Sequence, residues 1–404
     1  MNLIQGILGI TISFGLIVVL ITKRVHYGFA LTIGAVILGF FFELTPFKLW
    51  ETAIFTLTDK VTIELAVIIG LIPIFAKFLE DSKVMEEFIE GLKGVFSSRT
   101  VIAAIPAVFG LLPMMGGALL SAPFIDNEAE KLGLSAEEKS SINVWFRHPW
   151  FFVSPLSPTL LIIAGLTGIN LYSIILFNLP VFISYVLLGY LAMLRPIRKV
   201  HGRLSDNRGA VAMIIKGSSP IALTILTNIL GVPLPISIIL GIILTFILGR
   251  LNWKSTLSTI KSGFKWELVA AVLGVMYFRY VVKFGGVDSF IIQQAESLGI
   301  PSIIFLTAIP LMFGIITASP SASVVMSTPL AMSIYGGLLT PNQVSMLYIS
   351  TVVSYNLSPL HLCLVLTVSY FKPNLHDVYK RLVPLFIIVY IIELIVGLSV
   401  NYLM

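Results

Sequence analysis

A tripeptide that should break a helix occurs twice, each time inside an apolar run long enough to cross a bilayer. Leu156-Ser157-Pro158 lies within residues 147–162 (RHPWFFVSPLSPTLLI), and Leu357-Ser358-Pro359 within residues 348–364 (YISTVVSYNLSPLHLCL). Proline lacks an amide proton and clashes with the preceding turn, so a spanning helix should open there. The freed amides and carbonyls cannot face lipid; they must be buried in protein or line a polar cavity. Two such breaks at matching places in two halves of a membrane chain point to a solute-binding site near mid-membrane.

The 404 residues are 57% hydrophobic and 11% charged, against about 25% charged in soluble domains. This is the composition of an integral membrane protein. Residues 1–22 carry no small-residue cleavage pattern and read as a retained first transmembrane helix. The net charge of +6 sits mostly in short loops, as the positive-inside bias expects, so no nucleic-acid partner is implied. Cys363 is the single cysteine, which excludes an internal disulfide and a cysteine-cluster metal site. No metal ligand and no cofactor are assigned.

The fold class expected is an all-α polytopic membrane protein with about 11 transmembrane helices, two re-entrant hairpins and two broken helices. Repeat 1 covers 23–195, with a hairpin near 106–131 and a broken helix at 141–165. A basic linker, 196–211, carries Arg198, Lys199, Arg203 and Arg208 against Asp206 and should be cytoplasmic. Repeat 2 covers 212–404, with a hairpin near 310–335 and a broken helix at 344–369. Residues 212–229 are ambiguous, because Gly217-Ser218-Ser219-Pro220 interrupts the apolar run.

Matched Gly, Pro and Trp carry the repeat, since Leu or Ile coincidences mean little. At an offset of 203, Gly28 meets Gly231, Trp50 meets Trp253 and Glu64-Leu65 meets Glu267-Leu268. At 204, Ile105-Pro106 meets Ile309-Pro310 and Phe109-Gly110 meets Phe313-Gly314; at 201 the Leu-Ser-Pro pair aligns. Equivalent loops differ in charge: 126–139 is rich in acids and bases whereas 336–344 has none, and 166–170 is neutral whereas 371–381 is basic. That swap favours an inverted repeat; against it, Arg250, Lys254, Lys261 and Lys265 would then fall outside, and a fully spanning 212–229 would make the pass count even and favour a parallel repeat.

Residues 106–123 (PAVFGLLPMMGGALLSAP) and 310–329 (PLMFGIITASPSASVVMSTP) precede the two breaks. Proline, glycine and small polar residues midway suggest that each turns back on itself as a re-entrant hairpin. Kinked helices packed through small residues are the alternative. The order of spans, re-entrant hairpin, broken helix and closing span, given twice, resembles the ion transporter superfamily, which includes gluconate permeases and divalent-anion/sodium symporters. More narrowly, the chain resembles an uncharacterised membrane family numbered 401 among domains of unknown function. The resemblance implies a secondary carrier in the plasma membrane, with an elevator-type transport domain moving against a scaffold that dimerises. In the symporters, Ser-Asn-Thr hairpin tips help hold sodium and a carboxylate. Here the first tip offers no polar side chain before Ser121 and the second has no Asn, a departure that puts sodium coupling in doubt.

An oxyanion site has independent physical grounds. A half-helix that starts at a break aims its free amides, and a partial positive charge, into the gap. Ser154, Ser157, Thr159, Ser321, Ser323, Asn356 and Ser358 supply neutral donors nearby, and Gly116 and Gly117 allow close backbone approach. These are the candidate substrate ligands for a small anionic solute. Ser121, Thr317, Ser319, Ser354, His148 and His361 are candidates for a coupling Na+ or H+, the two histidines because imidazole titrates near neutral pH; helix packing is their alternative role. Arg147 either clamps a carboxylate or reaches to the headgroups. Glu64 and Glu267 read as interfacial, and Glu393 has no assigned role. The chain shows no His-Glu-x-x-His, Gly-x-Ser-x-Gly or P-loop motif and no intramembrane aspartate pair, so enzyme chemistry lacks support. A channel, a carrier of another solute or an inorganic oxyanion, and a non-transporting assembly factor are the other classes.

Overall fold

The computed structural model describes residues 3–23, 25–111, 117–197, 208–249 and 251–403. The described elements are helices. The first half runs α1 (Leu3–Thr22), α2 (Tyr27–Phe41), α3 (Pro46–Thr58), α4 (Lys60–Asp81), α5 (Val84–Val95), α6 (Ser98–Leu111), α7 (Gly117–Lys131), α8 (Ala136–Arg147), α9 (Trp150–Val153), α10 (Pro158–Thr167) and α11 (Leu171–Gly189). The second runs α12 (Arg208–Ile229), α13 (Leu234–Gly249), α14 (Trp253–Gly263), α15 (Trp266–Phe284), α16 (Val287–Ser297), α17 (Ala308–Thr317), α18 (Pro320–Ile334), α19 (Pro341–Leu357), α20 (Leu362–Phe371) and α21 (Leu375–Leu403). Most of the basic linker, residues 198–207, lies outside the described residues.

Among the described residues, seven helical stretches are long and apolar enough to cross a membrane, or eight with the pair around Gly285 that bends by 69°. Four shorter apolar stretches, including α2, α6 and α13, accompany them. The interruption at Gly217–Pro220 does not end a helix: α12 continues through it. The hydroxyls of Ser218 and Ser219 bond back to the Ile214 and Lys216 carbonyls at 2.8 and 2.9 Å. Gly217 lies flat against Phe88 of α5. Local polar residues are thus absorbed into the helix, the arrangement a lipid surrounding demands.

The helices sort into two groups by packing. In one, α2 packs on α1 and α15, α4 on α13, α14 and α15, and α5 on α12. Small residues permit the α2–α15 crossing: a β-carbon at Gly274 would stand 2.2 Å from the Gly28 carbonyl oxygen. In the other group, α6 packs on α7 and α8, and α17 on α18 and α19. Here the halves interleave, with α10 against α18, α20 against α7, α11 against α19 and α21 against α8. A wide belt of exposed apolar side chains, among them Ile4, Leu176, Leu230, Ile247 and Ile395, surrounds these groups and suits lipid.

Candidate functional site

Both expected breaks are present, but they fall at different places relative to the shared tripeptide. In the first, α9 ends at Val153, residues 154–157 are non-helical, and Pro158 is the first residue of α10. In the second, α19 continues to Leu357 and the opening covers 358–361, so Pro359 lies inside it. Pro155 accounts for the difference, because its counterpart three residues ahead of Pro359 is Asn356, and it stops the first helix early.

The second expected hairpin turns from α17 into α18, and the two arms of the first, α6 and α7, lie against each other. α17 ends at Ala318 in the left-handed region (φ 48°), and Ser319 caps α18 by accepting from the Ala322 amide at 3.3 Å. A non-glycine residue there costs about 1–2 kcal/mol, strain of the kind that concentrates at functional turns. The connection between α6 and α7, 112–116 and hence Gly116, lies outside the described residues.

The hairpin arms dock on the broken helices through matched glycines. A β-carbon at Gly110 would lie 2.0 Å from the Arg147 carbonyl oxygen, and one at Gly314 would lie 1.8 Å from Ser354 Oγ. Several candidate hydroxyls stitch the same contact. Ser358 donates to the Ile315 carbonyl and Ser323 to the Pro310 carbonyl, each at 2.8 Å. Ser323 also meets Thr351 Oγ1 at 3.2 Å, and Ser354 donates to the Thr351 carbonyl at 2.8 Å. Thr317 donates to the Phe313 carbonyl at 2.7 Å within its own helix.

The two halves meet at the starts of α10 and α18, where Thr159 Oγ1 and Ser321 Oγ are 2.9 Å apart. Ser157 caps α10 through the Leu160 amide and reaches Tyr348 at 3.4 Å; Tyr348 in turn donates to the Phe151 carbonyl at 2.6 Å. Two helix N-termini, each with its free amides and hydroxyls, are thus juxtaposed, an electropositive arrangement suited to an anion. Ser154 accepts from the Leu156 amide within its own turn. Asn356 donates to the Val352 carbonyl at 2.8 Å, and its Oδ1 is buried without a hydrogen-bond partner.

Ser121 lies apart from that crossing and donates to Asn143 Oδ1 at 2.6 Å, while Asn143 Nδ2 donates to Thr367 Oγ1 at 2.9 Å, joining α7, α8 and α20. Arg147 is buried, with its guanidinium over Gly117, where a β-carbon would lie 2.4 Å from Nη2. Of the two roles open to Arg147 in the sequence, the reach to the headgroups does not fit this burial. His148 and His361, 213 positions apart, bring their Nε2 atoms to 3.1 Å.

Asn143, Tyr348 and Arg279 have no place in the sequence reading, and Cys363 enters it only as the single cysteine, without a site role. Arg279 was the most readable, being a charge within an apolar run. It donates to the Gly165 carbonyl at 3.0 Å, near the end of α10, and lines a cavity of about 280 Å³ with Lys283, Thr167, Thr328 and Ser333. Glu393 is buried, and both its oxygens lack a hydrogen-bond partner.

The family described as "Protein of unknown function (DUF401)" matches residues 8–400. The chain belongs to that family. Comparison with curated proteins gives no significant match. Among solved structures, this DUF401 chain is similar to the Alcanivorax borkumensis YdaH transporter, with a TM-score of 0.64 and 12% identity over 89% of this chain and 90% of that one. At that identity the likeness concerns the fold.

Proposed function

We propose that this protein is an ion-coupled secondary transporter of a small organic anion, such as a carboxylate or sugar acid, of the ion transporter superfamily type. The observation that carries the reading is the meeting of α10 and α18, two half-helices from different halves of the chain. Their N-termini abut through Thr159 and Ser321 at 2.9 Å. Neutral donors and helix dipoles bind an anion without burying a compensating charge, and they can release it. Ser157, Ser321, Ser323, Asn356 and Ser358 would serve the substrate site. Sodium or a proton would drive uptake, with Ser121, Thr317, Ser319, Ser354 and the two histidines as candidates for coupling. Arg279 and Lys283, against the single acid Asp288 in the cavity between the helix groups, leave a net positive charge that would draw an anion toward the site.

The group containing both hairpins would act as an elevator domain, moving against a dimeric scaffold built on α2, α4, α13 and α15. The two halves would be inverted repeats. Counting α1, α2, α4, α8–α10 and α11 as crossings, and their counterparts α12, α13, α15, α19–α20 and α21, each half has an odd number, five. An odd number inverts the second half even though the total is even, which reconciles a full-length α12 with the swapped loop charges. The segment 196–211 would face the cytoplasm of a plasma-membrane protein.

The test is thermal stability of the purified protein against a panel of organic acids, with and without sodium. A ligand at about 100 times its Kd should add about 2.7 kcal/mol. A shift with one acid, larger in sodium and lost in Ser157→Ala/Ser358→Ala, is the expected result. A sodium-independent shift that varies with pH assigns the coupling to protons. No shift with any acid refutes the organic-anion assignment.

A further inference from the structure

His148, His361 and Cys363 converge although they come from separate halves. His148 caps the C-terminus of α8, His361 precedes α20 and Cys363 lies in its first turn. Each offers one ligand atom, and these atoms all lie within 4.8 Å of one another. Both imidazoles are fully buried. Helix packing alone does not call for two imidazole nitrogens and a thiol to face one point.

We infer that these three side chains form a binding site for an exchangeable first-row transition-metal ion of the zinc class, which clamps the two broken spans together. The donor set is borderline-soft, with two imidazoles and one thiolate, and such ions take it in preference to magnesium or calcium. Tetrahedral coordination at about 2.0–2.1 Å to nitrogen and 2.3 Å to sulfur separates ligand atoms by roughly 3.3–3.6 Å. The observed 3.1 Å between Nε2 atoms and the 4.8 Å outer limit bracket that separation, so side-chain adjustment alone closes the site.

The tautomer of His148 is set for this role. Its Nδ1 lies 2.6 Å from the Val144 carbonyl, and a carbonyl only accepts. Nδ1 therefore carries the proton of the neutral ring, and the Nε2 lone pair faces His361 and Cys363. Metal-binding histidines are commonly fixed in this way. His361 Nδ1 has no hydrogen-bond partner, so the side of the ring facing the cluster is the one that is engaged. Cys363 lies in the first turn of α20, and its Sγ is one of the three converging ligand atoms. Phe151 meets the His148 ring edge-on, Tyr355 lies tilted against His361, and the two aromatic rings stack on each other, walling the cluster with aromatic surface. Three protein ligands leave one position open, the arrangement of sites that exchange a ligand.

The test uses full-length, tag-free protein in detergent, reduced and stripped of metal, titrated with Co2+ as a spectroscopic probe and then with Zn2+. The expected result is one equivalent of cobalt with the visible absorption of a tetrahedral site and a thiolate-to-cobalt charge-transfer band, both removed by zinc. Since the chain has a single cysteine, that band reports Cys363. Cys363→Ser should abolish it while leaving the gel-filtration profile unchanged. His361→Gln should weaken binding beyond the roughly 10–100-fold typical of losing an outer-shell partner. Stoichiometric protein with no charge-transfer band overturns the assignment and leaves the histidines as a proton-holding or packing pair. Cobalt binding that survives both substitutions is adventitious and overturns it equally.

Discussion

Gly110→Ala tests whether the first hairpin is seated on its broken helix as closely as the structure indicates. The added β-carbon would lie 2.0 Å from the Arg147 carbonyl oxygen, whereas real β-carbons essentially never come within 3.0 Å of such an atom. The clash is with backbone, so no rotamer relieves it, and α6 must move from α8 by about 1 Å. Overpacking of this kind costs about 1–3 kcal/mol, offset in part by the gain of about 1 kcal/mol for alanine over glycine in a helix. The net expectation is a loss of up to about 2 kcal/mol. One kcal/mol moves Tm by about 2–4 °C in chains of 150–250 residues and by less in a longer one. The drop should therefore be small, and it needs an internal reference. Gly15 supplies one: it is exposed on α1, and a β-carbon there meets nothing within 4 Å. Gly15→Ala should raise Tm where Gly110→Ala lowers it. Gly314→Ala should also lower it, but there the clash is with the Ser354 hydroxyl at 1.8 Å. Ser354→Ala should then recover part of that loss, and no side-chain substitution should rescue Gly110→Ala. Intrinsic-fluorescence melting in one detergent, with circular dichroism to confirm helix content, measures all of these. Gly110→Ala melting at or above wild type would refute the close seating of α6 on α8.

Two further outcomes follow from local geometry. Ala318→Gly should raise Tm slightly, because it relieves about 1–2 kcal/mol of left-handed strain against about 0.5–1 kcal/mol of added chain entropy; a fall in Tm would mean that the turn is not left-handed. Asp59, in the connection ahead of α4, is partly desolvated, which alone would raise its pKa. Hydrogen bonds from the Thr62 amide, the Tyr280 hydroxyl and the Thr62 hydroxyl, with Arg279 nearby, outweigh this and hold it below the usual aspartate value. A depressed folded-state pKa gives stability that is present above the unfolded value, near pH 4, and is lost as pH falls through the folded one. Asp59→Asn should flatten that acid-side loss in pH-dependent melting; an unchanged acid profile would contradict it.

Much of the architecture was legible because membrane folds expose their local chemistry. Proline opens a helix wherever it stands, so both breaks were readable from Leu-Ser-Pro. Their exact extent was not, because it depends on whether a second proline, Pro155, stops the incoming helix first. The pairing of Phe109-Gly110 with Phe313-Gly314 looked like one repeat match among several. In three dimensions it marks the two places where a hairpin arm lies against a broken helix with no room for a β-carbon. Gly217–Pro220 left 212–229 ambiguous for the opposite reason: in water such a cluster would favour a turn, but in lipid the serine hydroxyls have the helix's own carbonyls as partners.

Convergence across the halves was out of reach of any linear reading. Thr159 and Ser321 are 162 positions apart, and His148 and His361 are 213 apart. The lone cysteine was the clearest case, since counting cysteines excludes a set made of them but says nothing about one thiol joining two histidines. That meeting depends on both spans together: an interruption at His148-Pro149, ahead of the first break, places His148 at the end of α8, and the second break, displaced toward the C-terminus, places His361 and Cys363 at the start of α20. Had the second opening fallen where the first does relative to its tripeptide, Pro359 would begin the half-helix, as Pro158 does. His361 would then sit inside its first turn instead of ahead of it. The small asymmetry between two otherwise corresponding breaks thus separates their chemistry, with hydroxyls and helix N-termini at the α10–α18 crossing and imidazoles and a thiol where α20 meets α8.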